Sequence, residues 1–230
     1  MESFTYVDIF ATKGIEYLLV IGFLMIFILF WRFLSTPAKA AYEYVKETLI
    51  PALSEWFHTP EGIYYHQGHS WAAREGNAVK IGMDDFAQKL VGKPSAISLP
   101  GVGAQIEQGN TGWKLRFGST SIDMVSPVNG EVVKVNEEVI KNPDLINQDP
   151  YGKGWLLMVK PRNAKSDLKN LLSGRLVSAW MEETVNSLRV RMGENLGLVY
   201  QDGGVPVTGI AKALSPDKWD EVAKEYLLSS

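Results

Sequence analysis

The stretch YLLVIGFLMIFILFW, from Tyr17 to Trp31, contains no charged side chain, and its apolar character runs on past Arg32 to Leu34. The eighteen residues from 17 to 34, rising about 1.5 Å each as a helix, reach about 27 Å, close to the ~30 Å hydrocarbon thickness of a bilayer. Such a helix is apolar on every face, which a helix in a small soluble domain is not. Tyr17 and Trp31 stand at its ends, where interfacial aromatics belong, with Arg32 just beyond. The sequence thus predicts an N-terminal segment (1–16) followed by one transmembrane helix (17–34). Glu2, Asp8, Lys13 and Glu16 do not form the basic leader of a cleaved signal, and no small-residue cleavage site follows. Lys13 is the one basic residue ahead of the span, whereas Arg32, Lys39 and Lys46 follow it. The positive-inside rule then places the bulk of the chain on the cytoplasmic side of an inner (cytoplasmic) membrane, with the periplasmic side as the alternative.

The 230 residues leave ample length beyond that helix for a core. A net charge of −3 argues against nucleic acid as a partner. The absence of cysteine excludes disulfides, thiolate metal ligands and cysteine nucleophiles. Over 37–60, apolar residues at Ala41, Tyr44, Val45, Leu49, Leu53 and Trp56 follow a helical period, with Pro37 in the first turn and Pro51 as a kink or break. A juxtamembrane helix is predicted there, either a spacer or a partner-binding element.

From residue 64 the pattern changes to short strands separated by glycine and proline turns, with brief helices. GIYYHQGHSWAAREGNAVKIGM reads as two strands around Glu75-Gly76-Asn77, and Asp84–Leu90 as a short helix. WKLRF and IDMV flank the turn Gly118-Ser119-Thr120-Ser121, GEVVKV follows, and Trp155–Lys160 reads as a closing strand. The fold class expected is α+β: a β-rich barrel or sandwich over 64–162, preceded by the transmembrane helix and followed by an α+β extension over 163–230.

Several ordered motifs over 64 to about 160 bear on family. They are His69-Ser70-Trp71, Ile81-Gly82, Phe86-Ala87-Gln88 ahead of Leu90 and Gly92, and Leu99-Pro100 with Gly103. Further on come Ser126-Pro127-Val128-Asn129-Gly130-Glu131-Val132, Val135-Asn136, and the run NPDLINQDPYGKGWL over 142–156. In these the chain resembles the H protein of the glycine cleavage system, a lipoyl carrier of the barrel-sandwich hybrid type. The resemblance implies a hairpin turn whose lysine forms an amide with lipoate. Counted back from Ser126-Pro127-Val128, that lysine position falls on Ser119, and the family's acidic residue three places earlier falls on Arg116. Serine has no amine, and no lysine lies between Arg116 and Lys134. The expectation is therefore a chain without lipoyl cofactor. Lys114, in the first strand, is the alternative attachment point.

Other candidate chemistry is thin. His66 and His69, with His58 nearby, have a metal-like spacing, but on a strand residues three apart face opposite ways, so no metal site is expected. Gly101-Val102-Gly103 lacks the strand–helix setting of a dinucleotide fingerprint. Asp84-Asp85 and Glu137-Glu138 read as helix starts and solvated acids rather than a catalytic pair. No nucleophile–base arrangement emerges, so no enzyme activity and no small-molecule substrate are expected.

In the extension, SAWMEETVNSLRVRM places Trp180, Met181, Thr184, Val185, Leu188 and Met192 on one helical face. LGLVYQDGGVPVTG reads as a hairpin turning at Asp202-Gly203, and Ser215-Pro216-Asp217 as the cap of a last helix. Trp180, Trp219 and Tyr226 are candidate interface anchors. Taken together, these features predict a membrane-anchored, non-catalytic, H-protein-like subunit. Its expected role is structural, within a larger membrane assembly of respiratory or electron-transfer type, with other protein subunits as partners.

Overall fold

The computed structural model describes residues 13–32, 56–192, 200–201, 205–206 and 208–229. The chain divides into two compact units, Met1–Pro51 and Ala52–Ser230. In the first, helix α1 (Lys13–Arg32) is 20 residues long with mean hydropathy 2.3, and none of its apolar window is buried within the protein. Among the described residues it is the one helix long and apolar enough to cross a membrane. Most of the expected juxtamembrane helix lies outside the described residues.

The second unit is built on two sheets. The larger has strand order β1-β2-β3-β9-β8-β5 and the smaller β4-β6-β7. In chain order these are β1 (Tyr64–Tyr65), β2 (Ser70–Glu75), β3 (Ala78–Met83), β4 (Ala96–Ser98), β5 (Gln105–Ile106), β6 (Thr111–Phe117), β7 (Thr120–Val125), β8 (Gly130–Val135) and β9 (Leu157–Pro161). Their pairings are antiparallel. Short helices α2 (Asp85–Val91), α3 (Glu137–Lys141) and α4 (Leu145–Gln148) close the ends. The core lies where the sheets face each other: Ala72, Val79, Ile81, Val132, Leu157 and Val159 meet Ile97, Trp113, Leu115, Ile122 and Met124. Period-two alternation decides what β6 shows to each side. Trp113 and Leu115 point inward, while Lys114 and Arg116 point to solvent.

The motifs shared with H proteins prove to be fold-building. Trp71 lies opposite Gly82 across the β2–β3 pair, and a Cβ on residue 82 would stand 2.8 Å from the indole ring; only glycine lets the ring lie flat there. The indole N–H donates to the Met83 carbonyl at 2.9 Å and to the Pro150 carbonyl at 3.2 Å. Asn136 caps α3 and donates to the carbonyls of Lys153 and Trp155. Asp149 accepts from the amides of Gly152 and Lys153, and Asn147 donates to Gln88 of α2. The 142–156 run is thus a loop wired to the barrel end, with α4 inside it. The closing strand starts at Leu157, two residues later than expected, because Trp155 is still held in the loop by Asn136.

In the extension, α5 (Ala164–Lys169) leads to α6 (Arg175–Met192), which buries Val177, Met181, Thr184, Val185, Leu188 and Met192. Strands β10 (Tyr200–Gln201) and β11 (Val205–Pro206) pair antiparallel as the sequence suggests; the turn at Asp202-Gly203 lies outside the described residues. A five-residue helix, α7 (Ile210–Leu214), was not expected, being too short to show a period. The last helix, α8 (Trp219–Leu227), starts after Lys218 and has no side-chain cap. Ser215 instead closes α7, its amide donating to the Ala211 carbonyl, so the predicted Ser-Pro-Asp cap becomes the linker between two helices. α7 and α8 pack on α2, and α8 also lies on β7.

Candidate functional site

Strands β6 and β7 pair down to Phe117 opposite Thr120, leaving Gly118 and Ser119 as a two-residue turn. Gly118 has φ +64°, the geometry that glycine supplies at the first position of a tight hairpin turn. Ser95, just ahead of β4, braces the turn. Its amide and hydroxyl both donate to the Arg116 carbonyl, at 2.7 and 3.0 Å, and its oxygen accepts from the Gly118 amide. Ser119 is exposed at the apex, and its hydroxyl has no hydrogen-bond partner among the described residues. Arg116 is also exposed, and among the described residues its guanidinium has no ion-pair partner, whereas Lys114 reaches Asp123 of β7 at 3.1 Å. Ser98, Lys114, Arg116, Gly118, Ser119 and Ser121 line a hollow of about 340 Å³ on the outer face of the small sheet. Ser95 and Ser98 were missed from sequence, because they reach the hairpin only through the pairing of β4 with β6.

Behind the hairpin the extension takes over. The Trp219 ring stands edge-on to Phe117 at 5.1 Å, and Lys212 lies over Trp219 at 4.8 Å. The Asp123 amide of β7 donates to the Ser229 hydroxyl at 3.1 Å. Tyr226 packs 5.6 Å from Phe86, its hydroxyl 3.1 Å from that of Ser187, and burial raises its pKa. Trp180 lies 4.6 Å from His69 and 6.3 Å from Tyr65. The three candidate interface anchors are therefore partly buried in the protein's own packing.

The histidine and carboxylate candidates form a separate cluster, and its geometry corrects two expectations. His66 and His69 lie in the turn between β1 and β2, not on a strand: the His69 amide donates to the His66 carbonyl, and His69 has φ +61°. Asp84 is fully buried rather than solvated. One of its oxygens caps α2 by accepting from the Ala87 amide at 2.8 Å, and the other faces His69 Nδ1 at 2.8 Å. A carboxylate only accepts, so Nδ1 carries the proton. The imidazole is stacked between Phe86 at 4.2 Å and Trp180. His66 Nδ1 accepts from the Gly68 amide, and burial, then the neighbouring His69, holds its pKa below the ordinary value. The Tyr151 hydroxyl donates to the His58 carbonyl and accepts from the Asp85 amide, and burial raises its pKa. No group of three or more metal-ligating side chains occurs among the described residues. Glu137 and Glu138 begin α3, exposed as expected. Tyr17, Trp31 and Arg32 are exposed on α1.

The two facing antiparallel sheets and the projecting β6–β7 hairpin define an H-protein-like lipoyl-carrier domain. Comparison with known proteins agrees. The family profile described as glycine cleavage H-protein matches residues 63–184, and the chain belongs to that family. It is 36% identical over 139 residues to the glycine cleavage system H protein of Magnetococcus marinus, covering 98% of that protein and 60% of this chain. It is 42% identical over 124 residues to that of Carboxydothermus hydrogenoformans, covering 95% of that protein and 54% of this chain. A crystal structure of a glycine cleavage system H protein from Mycobacterium marinum matches with a TM-score of 0.48 at 26% identity, covering 55% of this chain and 98% of that one.

Proposed function

We propose that this chain is a membrane-anchored member of the H-protein family that has given up the lipoyl arm and serves as a non-catalytic structural subunit of a larger membrane assembly. The observation that carries the proposal is the hairpin apex. Ser119, in the two-residue turn of β6–β7, stands at the attachment position and offers a hydroxyl where an amide-forming amine is needed. The nearest lysine on the hairpin, Lys114, lies in the body of β6 and is engaged by Asp123. Strand β7, which leads away from the apex, is already packed by α8 and bonded to Ser229. Helix α1 supplies the anchor as a single span, with the barrel on the cytoplasmic side by the excess of basic residues after it. Retention of a carrier fold without its attachment residue suits an interaction module, since function resides in the site and not the fold. A respiratory or electron-transfer assembly is the proposed setting, inferred from the anchor alone.

Purification from the native membrane, followed by mass spectrometry, tests this directly. The expected result is a chain without lipoate that co-purifies with other membrane subunits. A lipoyl group on any lysine, Lys114 included, or recovery of a lone monomer, overturns the proposal.

A further inference from the structure

Three hydroxyls in a row, Ser119, Thr120 and Ser121, cross the hairpin, but they are not equivalent. Thr120 and Ser121 are tied into the strand ladder opposite Phe117 and Arg116, whereas Ser119 lies outside it. The side chain of Ser119 is exposed and makes no hydrogen bond among the described residues. The hollow it shares with Lys114 and Arg116 is lined by two cations, three hydroxyls and a glycine, with no carboxylate. Lys114 and Arg116 point the same way because they are two apart on one strand. Lys114 is partly neutralised by Asp123, which leaves the Arg116 guanidinium as the cation of the hollow without an ion-pair partner among the described residues. A guanidinium fork is matched in shape and charge to a phosphate.

We propose that Ser119 is a phosphoacceptor, modified by a separate protein kinase with a nucleoside triphosphate as donor. The Ser119 Oγ–phosphorus bond forms as the bond from the γ-phosphorus to the β,γ-bridging oxygen breaks. The hydroxyl proton passes to the kinase's base, and the nucleoside diphosphate leaves. The phosphoserine, close to dianionic at neutral pH, then pairs with Arg116 over the hollow. Arg116 stands three residues ahead of the acceptor on a braced hairpin, so a kinase reading a basic side chain meets both groups in fixed geometry. The idea rests on the reading that residue 119 occupies the attachment position.

The test uses full-length protein purified from its own membranes with phosphatases inhibited, across growth phases, with intact-mass measurement and site-localising fragmentation. One phosphoryl group on Ser119, removed by phosphatase and absent from Ser119→Ala, is the expected result. In the phosphorylated protein, the phosphorus NMR signal should titrate below the ordinary second pKa of about 6, because Arg116 favours the dianion. A chain without phosphate in every phase, or phosphate on another residue, overturns the site. An ordinary titration overturns the role of Arg116. A lipoyl group has a different mass and would overturn the preceding section's proposal instead.

Discussion

The barrel end around Trp71 and the apex of the β6–β7 hairpin treat polar groups in opposite ways. At the barrel end the indole N–H of Trp71, both oxygens of Asp84, and the side-chain N–H groups of Asn136 and Asn147 are committed to hydrogen bonds within the protein. At the apex, among the described residues, the Ser119 hydroxyl bonds to nothing and the Arg116 guanidinium has no ion-pair partner. The first region must keep its residues for the fold to form. The second can exchange a lysine for a serine at almost no cost in stability. A chain can therefore remain unmistakably H-protein-like in architecture while its chemistry changes at one exposed turn.

That contrast is sharpest in stability. Trp71→Ala removes a fully buried ring and empties the space facing Gly82, with an expected loss of about 3–5 kcal/mol in denaturant unfolding. An equal loss from any substitution at Ser119 would break the comparison. Asp84→Ala comes next. It deletes the α2 cap, worth about 1 kcal/mol, and leaves the buried His69 N–H without an acceptor, worth about 1–3 kcal/mol. The expected total is about 3 kcal/mol, with faster amide exchange in α2; exchange unchanged there would show that the cap is not what holds the helix.

The barrel end was largely legible in the sequence because its signals are local or carried by whole motifs. Apolar runs bounded by turn residues marked WKLRF and IDMV as strands, and the 142–156 run marked its loop. Five of the six buried positions of α6, namely Met181, Thr184, Val185, Leu188 and Met192, followed from its helical period; Val177 lies just ahead of the stretch in which that period was read. The failures have physical causes too. The burial of Asp84 depends on His69, fifteen residues away and brought near by a left-handed turn that no periodicity announces. The hollow at the apex depends on the register of β4 against β6. The contacts that shelter Trp180, Trp219 and Tyr226 join the extension to the barrel across the whole domain, and exposure could not be read from their spacing alone.

A smaller effect separates the two regions by pH. His66 is held below its ordinary pKa of 6.5 by burial and then by His69. Between that lowered value and 6.5 the unfolded chain binds a proton that the folded chain does not, so stability rises with pH there and falls as the solution is acidified. Asparagine at 66 can still accept from the Gly68 amide but does not titrate. His66→Asn is expected to give a shallower loss of melting temperature below pH 6.5, whereas Ser119 variants leave that slope unchanged. An unaltered slope in His66→Asn would assign the acid sensitivity elsewhere.

The smallest expected change in stability carries the largest expected change in chemistry. Ser119→Lys replaces one exposed turn residue with another and should alter unfolding by no more than about 0.5 kcal/mol. The turn itself is set by Gly118 and braced by Ser95, neither of which is touched. In cells that attach lipoate to proteins, the variant is expected to gain one lipoyl group by intact mass while the parent chain gains none. Adding Arg116→Glu removes the cation beside the new amine and should raise the modified fraction further. If the double variant stays unmodified although its fold and stability are intact, the serine is not what closed this domain to lipoate. The packing of α8 and the Ser229 hydroxyl on β7 would then be the neighbouring feature left to account for it.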